Sequence, residues 1–439
     1  MPKRDAYPML SVEEARERVL ALFGPLPASS VPILDALGCV LAEDVCADRD
    51  VPPLDNSAMD GYAVRAEDLV GDGVRLRVVA SLAAGQVPWR AVARGEAVRI
   101  MTGAPMPPGA DTVVRFEHTR AETERIDVLK TPKPGENVRL AGEDVRRGEV
   151  VLPKGTRLRP QEIGMLASVG RPTALVHRRP RVAILATGDE VAEIDAELRP
   201  GQIRNINSYS VGAQVREAGG LPTLLGVAAD RAEPLADRIR TGLEAGADML
   251  VTSGGVSVGD FDLVKQVLAA EGQIDFWWVN MQPGKPMAFG TIGGIPLLAL
   301  PGNPVAAMIS FGLFGRPAID RMMGRTAWEW PRTRARLREA IQRKDGRRHY
   351  LRARLRQGPN GLEATLTGDQ GAGILTSMVQ ADGLAVIPEN CDHLPAGSEV
   401  NVLLFGDPQS ALGSEFLAAD REPTGQRERD LDDSQSTDD

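Results

Sequence analysis

Apolar and polar positions along the 439-residue chain change their period several times, and each change marks a different kind of element. Near the start, Val12, Ala15, Val19 and Leu22 fall on one helical face. Ser11 stands as the cap, and Glu14, three residues on, completes a capping box. From about residue 50 to 144 the texture becomes short β-like runs broken by Gly and Pro, at Val74–Val79, Ala97–Ile100, Thr112–Phe116 and Arg125–Leu129. Such runs predict a small β-rich module. Residues 145–178 are mixed, with a helix expected just after Pro160.

The stretch from Pro180 to Arg325 is the most regular. Strand-like runs at Val182–Ala186, Leu221–Val227 and Asp248–Thr252 alternate with helical patterns at Ser208–Ala218, Glu233–Ala245 and Asp260–Ala270. Further strands are expected at Phe276–Val279, Pro286–Phe289 and Pro296–Leu300, then a helix over Pro304–Met323. The alternation predicts an open, mostly parallel α/β sheet. From Trp330 onward the period falls to two: Arg332, Arg334, Arg336 and Arg338 alternate with Ala335 and Leu337, and Arg352, Arg354 and Arg356 with Leu351, Ala353 and Leu355. That places the arginines on one strand face. Beyond about Gly406 the chain is polar and acidic, the composition of a disordered tail. The expected fold class is therefore multidomain α/β plus β.

Composition narrows the function. An apolar share of 43% and a charged share of 25% suit packed globular domains and exclude fibrous or wholly disordered chains. The net charge of −9 is uneven: residues 420–439 carry eight acids against three arginines, whereas 332–356 carry eleven Arg/Lys against Glu339 and Asp345. An acidic body with one basic segment argues against nucleic-acid coating and leaves room for a local anion site. Cys39, Cys46 and Cys391 form no CxxC, so zinc clusters and a disulfide scaffold are not expected. No signal peptide is visible, and the apolar stretch 296–315 is broken by Pro301, Gly302, Asn303 and Pro304. No membrane span is expected, and the location that follows is the cytoplasm.

In open α/β sheets ligands bind beyond the carboxyl ends of the strands. There the sequence places Thr187-Gly188-Asp189-Glu190, then Asp230, then Ser253-Gly254-Gly255-Val256-Ser257-Val258-Gly259-Asp260, and finally Pro301-Gly302-Asn303-Pro304. Glycine-rich turns entering helices suit phosphate, and neighbouring carboxylates suit a hydrated Mg²⁺. Any one loop is explained as well by tight turns and helix caps; four at one edge favour a phosphorylated ligand with a divalent ion. Gly255-Val-Ser257-Val-Gly259 fits the nucleophile-elbow pattern, but Ser253-Gly254-Gly255 separates it from the strand, so a serine hydrolase is not expected. Walker, dinucleotide and HExxH motifs are absent. Lys285, in Gln282-Pro-Gly-Lys-Pro286, reads equally as an anion contact or an ordinary surface lysine. The polar loops at 52–63, 101–107 and 136–144 read as bare patterns of turns with solvated tips.

Eight longer words carry a resemblance: PPLDNSAMDGYAVR from Pro52, RIMTGAPMPPGADTVV from Arg99, ENVRLAGED from Glu136, LATGDE from Leu185, GQIRNINSY from Gly201, TSGGVSVGDFD from Thr252, QPGKPMAFG from Gln282 and LPGNPVAA from Leu300. In these the sequence resembles the molybdopterin molybdenumtransferases, the MoeA proteins, and is similar to the E domain of gephyrin. The likeness runs over about residues 8–405 and leaves out the acidic tail.

The resemblance implies an elongated homodimer of four-domain chains. Residues 8–49 with 145–178 would form an N-terminal domain, 50–144 an inserted β-rich module, 179–328 a MogA-like molybdopterin-binding domain and 329–406 a C-terminal β-barrel-like domain, with 407–439 as tail. It implies insertion of molybdate into adenylylated molybdopterin, releasing AMP with Mg²⁺. Carried over by motif, Asp60, Thr102, Arg139 and Asp144 come from the β module and its exit. Glu190, Asp230, Asp260, Lys285, Pro301 and Pro304 come from the α/β domain, beside the loop residues Ser253, Gly254, Gly255, Ser257 and Asn303. Asp60, Glu190, Asp230 and Asp260 would be catalytic, the last three with the metal. Lys285, with Arg352 and Ser377, would attract molybdate. Gln282 stands where the family often has a base. The β module of one subunit would face the α/β domain of the other. The resemblance leaves molybdopterin adenylyltransferase as the rival enzyme, also a candidate partner, and a gephyrin-like scaffold as the rival from another class.

Overall fold

The computed structural model describes residues 9–71, 73–229, 231–254, 272–325 and 329–406. The helix expected at 260–270 and the tail from 407 lie outside the described residues. The chain divides into two compact units, one of Met1–Gly24, Pro180–Met322 and Ala327–Asp439, the other of Pro25–Arg179 and Met323–Thr326.

The second unit holds a six-stranded sheet in the order Thr112–Arg115, Gly61–Val64, Glu96–Ile100, Arg75–Leu82, Arg125–Val128, Thr119–Ala121. Gly61–Val64 is buried along its whole length between two antiparallel neighbours. Tyr62, Val64, Leu76, Val114 and Ile126 pack on one face, and Ala63, Leu82, Val98, Ile100 and Val113 on the other. Elsewhere in this unit the helix Pro160–Ser168 starts on its proline, as expected.

In the first unit a seven-stranded sheet runs in the order Met9–Leu10, Gly272–Val279, Pro286–Ile292, Ile295–Leu300, Met249–Ser253, Arg181–Thr187, Leu221–Ala228. Four of the six pairings are parallel; Pro286–Ile292 runs antiparallel to both of its neighbours. Residues 182–187 are all buried because both faces of the sheet are covered. Ala183, Leu185, Leu225, Leu250 and Leu297 meet Leu235 and Ile239 of the helix Ala232–Glu244. Helix Asn207–Ala218 stops at Gly219, whose φ of 97° is the left-handed cap that glycine adopts without strain. Helix Val12–Ala21 carries the capping box from Ser11 and Glu14. The last helix is less regular than its sequence suggests: Pro304–Ser310 is α-helical, Phe311–Gly315 takes a π turn and Arg316–Met322 resumes.

Beyond Trp330 the strands Arg348–Gly358, Gly361–Leu366, Arg332–Leu337, Glu399–Leu404 and Gly383–Ile387 pair in that order, and the last pairs back to the first. A five-stranded barrel closes around Ala335, Leu337, Leu351, Ala353, Leu355, Ala385 and Val402. Arg332, Arg334, Arg336, Arg354 and Arg356 are exposed, as the period-two pattern requires. Arg352 departs from it. It shares their face of the strand but has no exposed surface, because the chain around 369–377 covers it.

Gly61 fixes the tightest strand contact next to Asp60. A methyl group there would run into the Val114 carbonyl of the neighbouring strand. Gly61→Ala is expected to cost about 1–3 kcal/mol through overpacking, read as a lower midpoint in urea unfolding.

Candidate active site

The parallel strands deliver their carboxyl ends to one edge, where the turns touch. The Gly254 N–H donates to the Leu300 carbonyl at 3.2 Å, the Gly188 N–H to Ala228 at 3.3 Å, and Thr187 Oγ1 to the Ser253 carbonyl at 3.4 Å. Gly254 has φ 90°, and a Cβ on it would lie 2.6 Å from the Thr187 carbonyl oxygen. Gly302 lies beside it, where a Cβ would touch Gly254 Cα at 3.6 Å, an ordinary van der Waals contact. At Gly254 no side chain fits, so backbone lies against backbone there.

Several expected residues stand on this edge. Ser253 is buried. Glu190 is exposed; its backbone carbonyl accepts from Ile203 N–H at 2.8 Å, and its carboxylate lies over Gly188 where a Cβ would be 2.6 Å away. Pro301 is buried, Pro304 opens the helix and Asn303 is its exposed N-cap with no side-chain capping bond. Asp230, Gly255, Ser257 and Asp260 lie outside the described residues. Among those described, no cluster of three or more His, Cys, Asp or Glu residues is arranged for a metal.

The edge also holds residues to which the sequence assigned no role. Asn207 Nδ2 donates to the Gly302 carbonyl at 2.8 Å, tying the first helix to the last turn. Its Oδ1, with Asn205 Nδ2, Ser208 Oγ and Thr252 Oγ1, is buried without a hydrogen-bond partner. Unsatisfied polar atoms are costly unless a ligand or water answers them. The signal was present in the word GQIRNINSY, but periodicity cannot say which of its polar residues face inward.

In the second unit, Asp60 and Thr102 come together. Asp60 Oδ1 accepts from the Thr102 backbone N–H at 2.7 Å and from its hydroxyl at 2.8 Å. These two donors, aided by nearby Arg99, hold the Asp60 carboxyl below the ordinary aspartate range. Arg139 lies opposite Asn56 in a short antiparallel pair, and the Asp144 N–H donates to Val51 at 3.0 Å. Both side chains are exposed, on a segment that clamps the loop leading to Asp60.

A third set lies beside the barrel. The guanidinium of Arg352 donates from Nε to Ser377 Oγ at 2.9 Å and from Nη2 to the carbonyls of Gly371 at 2.9 Å and Asp369 at 3.3 Å. Its Nη1 is buried with no partner. Burial pulls its pKa down from the usual arginine value. Met281 and Gln282 pair in parallel with Arg348 and His349, bringing the turn that carries Lys285 against this strand. The Lys285 ammonium lies 3.8 Å from the centre of the Trp278 ring, a cation–π contact. A cavity of about 550 Å³ opens here, with Gln282, Arg343, Asp345, Arg347, Arg352 and Asp369 in its wall.

A doubly wound sheet with glycines at its carboxyl edge, joined in one unit to a barrel that buries an arginine, defines a multidomain α/β protein. Residues 10–170 match the MoeA N-terminal region (domain I and II), 183–321 a probable molybdopterin binding domain and 334–405 the MoeA C-terminal region (domain IV). A molybdopterin molybdenumtransferase of Nostoc sp. is 39% identical over 416 residues, covering 92% of this chain and 95% of its own. One from Haemophilus influenzae is 34% identical over 407 residues, covering 90% and 99%. The crystal structure of a molybdopterin biosynthesis MoeA protein from Pyrococcus horikosii superposes with a TM-score of 0.78 at 36% identity, covering 91% of this chain and all of that one. The chain belongs to the molybdopterin molybdenumtransferase (MoeA) family and is an enzyme of molybdenum cofactor biosynthesis. No helix among the described residues is long and apolar enough to cross a membrane.

Asp60 should titrate below about 3.9, the ordinary aspartate value, in carboxyl-resolved NMR. Thr102→Val, which removes one donor and keeps the backbone N–H, should move that midpoint upward without restoring it fully.

Proposed function

We propose that this enzyme inserts molybdate into the dithiolene of adenylylated molybdopterin and releases AMP. What carries the reading is the presence, in one compact unit, of a glycine-bearing edge suited to phosphate and a buried arginine with an open donor suited to an oxyanion. The edge turns around Ser253, Gly254, Gly255 and Ser257, with Pro301, Asn303 and Pro304, hold the phosphorylated pterin. Arg352, Ser377 and Lys285 take molybdate.

Glu190, Asp230 and Asp260 are proposed to hold Mg²⁺. As hard oxygen donors following three neighbouring strands they match that ion's preference. The ion would neutralise charge on the phosphoanhydride during adenylate cleavage. Glu190 is exposed beside Gly188, which gives its carboxylate room. Asp60, kept ionised by Thr102, faces the same substrate together with Arg139 and Asp144. These four belong to the other compact unit, and in this reading a second copy supplies them, making the enzyme a homodimer. The cytoplasm is the proposed location, and the molybdopterin adenylyltransferase a proposed partner.

The test is incubation of the purified protein with adenylylated molybdopterin and Mg²⁺, with and without molybdate, following AMP and reconstitution of an apo-molybdoenzyme. Molybdate-dependent AMP release with reconstitution is expected, and chelation of the metal should stop it. Synthesis of the adenylate from molybdopterin and ATP would make the protein an adenylyltransferase instead; binding without turnover would make it a scaffold. Asp260→Asn should abolish turnover while thermal unfolding stays unchanged, and near-normal activity would remove Asp260 from the mechanism.

A further inference from the structure

The cavity beside Arg352 is lined by two guanidinium groups besides the residues so far assigned to molybdate. Arg343 and Arg347 belong to the loop between the strands Ile341–Gln342 and Arg348–Gly358, and both line the cavity. Arg347 is pinned. Its Nη1 donates to Gln282 Oε1 at 2.9 Å, and its Nε lies 3.8 Å from Asp345 Oδ2. Arg343 Nε, like Arg352 Nη1, is buried without a hydrogen-bond partner.

The strand that follows the loop is anchored at its start. Arg348 holds Glu389 through two bonds at 2.9 and 3.1 Å and also pairs with Glu13. His349 is buried and bonds Asp345 at 2.8 Å, which occupies the loop's one carboxylate. Three guanidinium groups therefore border the cavity together with the carboxylates of Asp345 and Asp369, and two of the guanidinium groups have an unused N–H donor. The Lys285 ammonium, by contrast, sits over the Trp278 ring. Guanidinium forks match the oxygen pairs of tetrahedral oxyanions, and clustered cations favour a dianion over a monoanion of the same shape.

We propose that Arg343 and Arg347 are specificity-determining residues that make the Arg352 cavity select a doubly charged tetrahedral oxyanion. The inference rests on the assignment of Arg352 to molybdate. Arg352 forms the floor, and Arg347, held by Gln282, supplies charge to the wall. Arg343 brings a donor from the opposite end of the same loop.

The experiment is calorimetric titration of the full-length protein, without pterin, using molybdate and perrhenate, which share a tetrahedral shape but carry two charges and one. Wild type should prefer molybdate. Arg343→Gln and Arg347→Gln should each weaken molybdate binding about five- to tenfold and perrhenate binding much less, with unfolding temperatures unchanged. Arg347→Lys should retain most of the preference. The inference is overturned if wild type binds neither anion, if the variants bind molybdate as wild type does, or if they lose both anions equally. Calorimetry needs no turnover, so a failed AMP-release assay would count against the proposed reaction separately.

Discussion

Parallel strands buried on both faces can reverse direction only through crossovers, and this constraint organises the larger unit. Because 181–187, 221–228, 249–253 and 295–300 run the same way, every turn after them arrives at one edge. There Gly254 lies so close to Thr187 that no side chain fits, with Gly302 beside it. Small residues meet there, with the exposed Glu190 beside them. In the proposed function this edge holds the phosphorylated pterin.

The barrel solves a different problem, that of keeping a charge out of water. Arg352 has no exposed surface, its hydrogen bonds go to a hydroxyl and two backbone carbonyls, and the nearby Asp369 carboxylate only partly offsets the cost of burying its charge. A buried cation of this kind is costly unless an anion is bound beside it. Ser377 orients the group while leaving Nη1 open. The proposed function accordingly divides anion binding between the sheet edge, for phosphate, and the guanidinium at the barrel, for a small oxyanion.

Much of this was legible in the sequence, for identifiable reasons. Fully buried strand segments such as 182–186 read as unbroken apolar runs, and Ser11 with Glu14 spelled out a capping box that the structure contains. Period two correctly put Arg332, Arg334, Arg336, Arg354 and Arg356 on an exposed face. The same rule could not single out Arg352, because parity fixes a side chain's direction and not what covers it; its cover comes from residues twenty positions away. The edge strand Met9–Leu10 was invisible, being too short to show a period. Arg343 and Arg347 were hidden within a run of eleven basic residues, most of which are solvated. Among the site residues, Asp60 and Thr102 were named from separate motifs, and their mutual hydrogen bonds emerge only once the strands flanking them are paired.

The central claim is that the oxyanion is held at the barrel and not at the sheet edge. It is tested most directly by diffraction from crystals soaked in molybdate, with data collected at the molybdenum absorption edge to locate the metal by its anomalous signal. The account predicts one strong peak within hydrogen-bonding reach, through oxygen, of Arg352 Nη1 in the cavity bordered by Arg343 and Arg347. A peak at the Gly254–Gly302 edge with none beside Arg352 would contradict it.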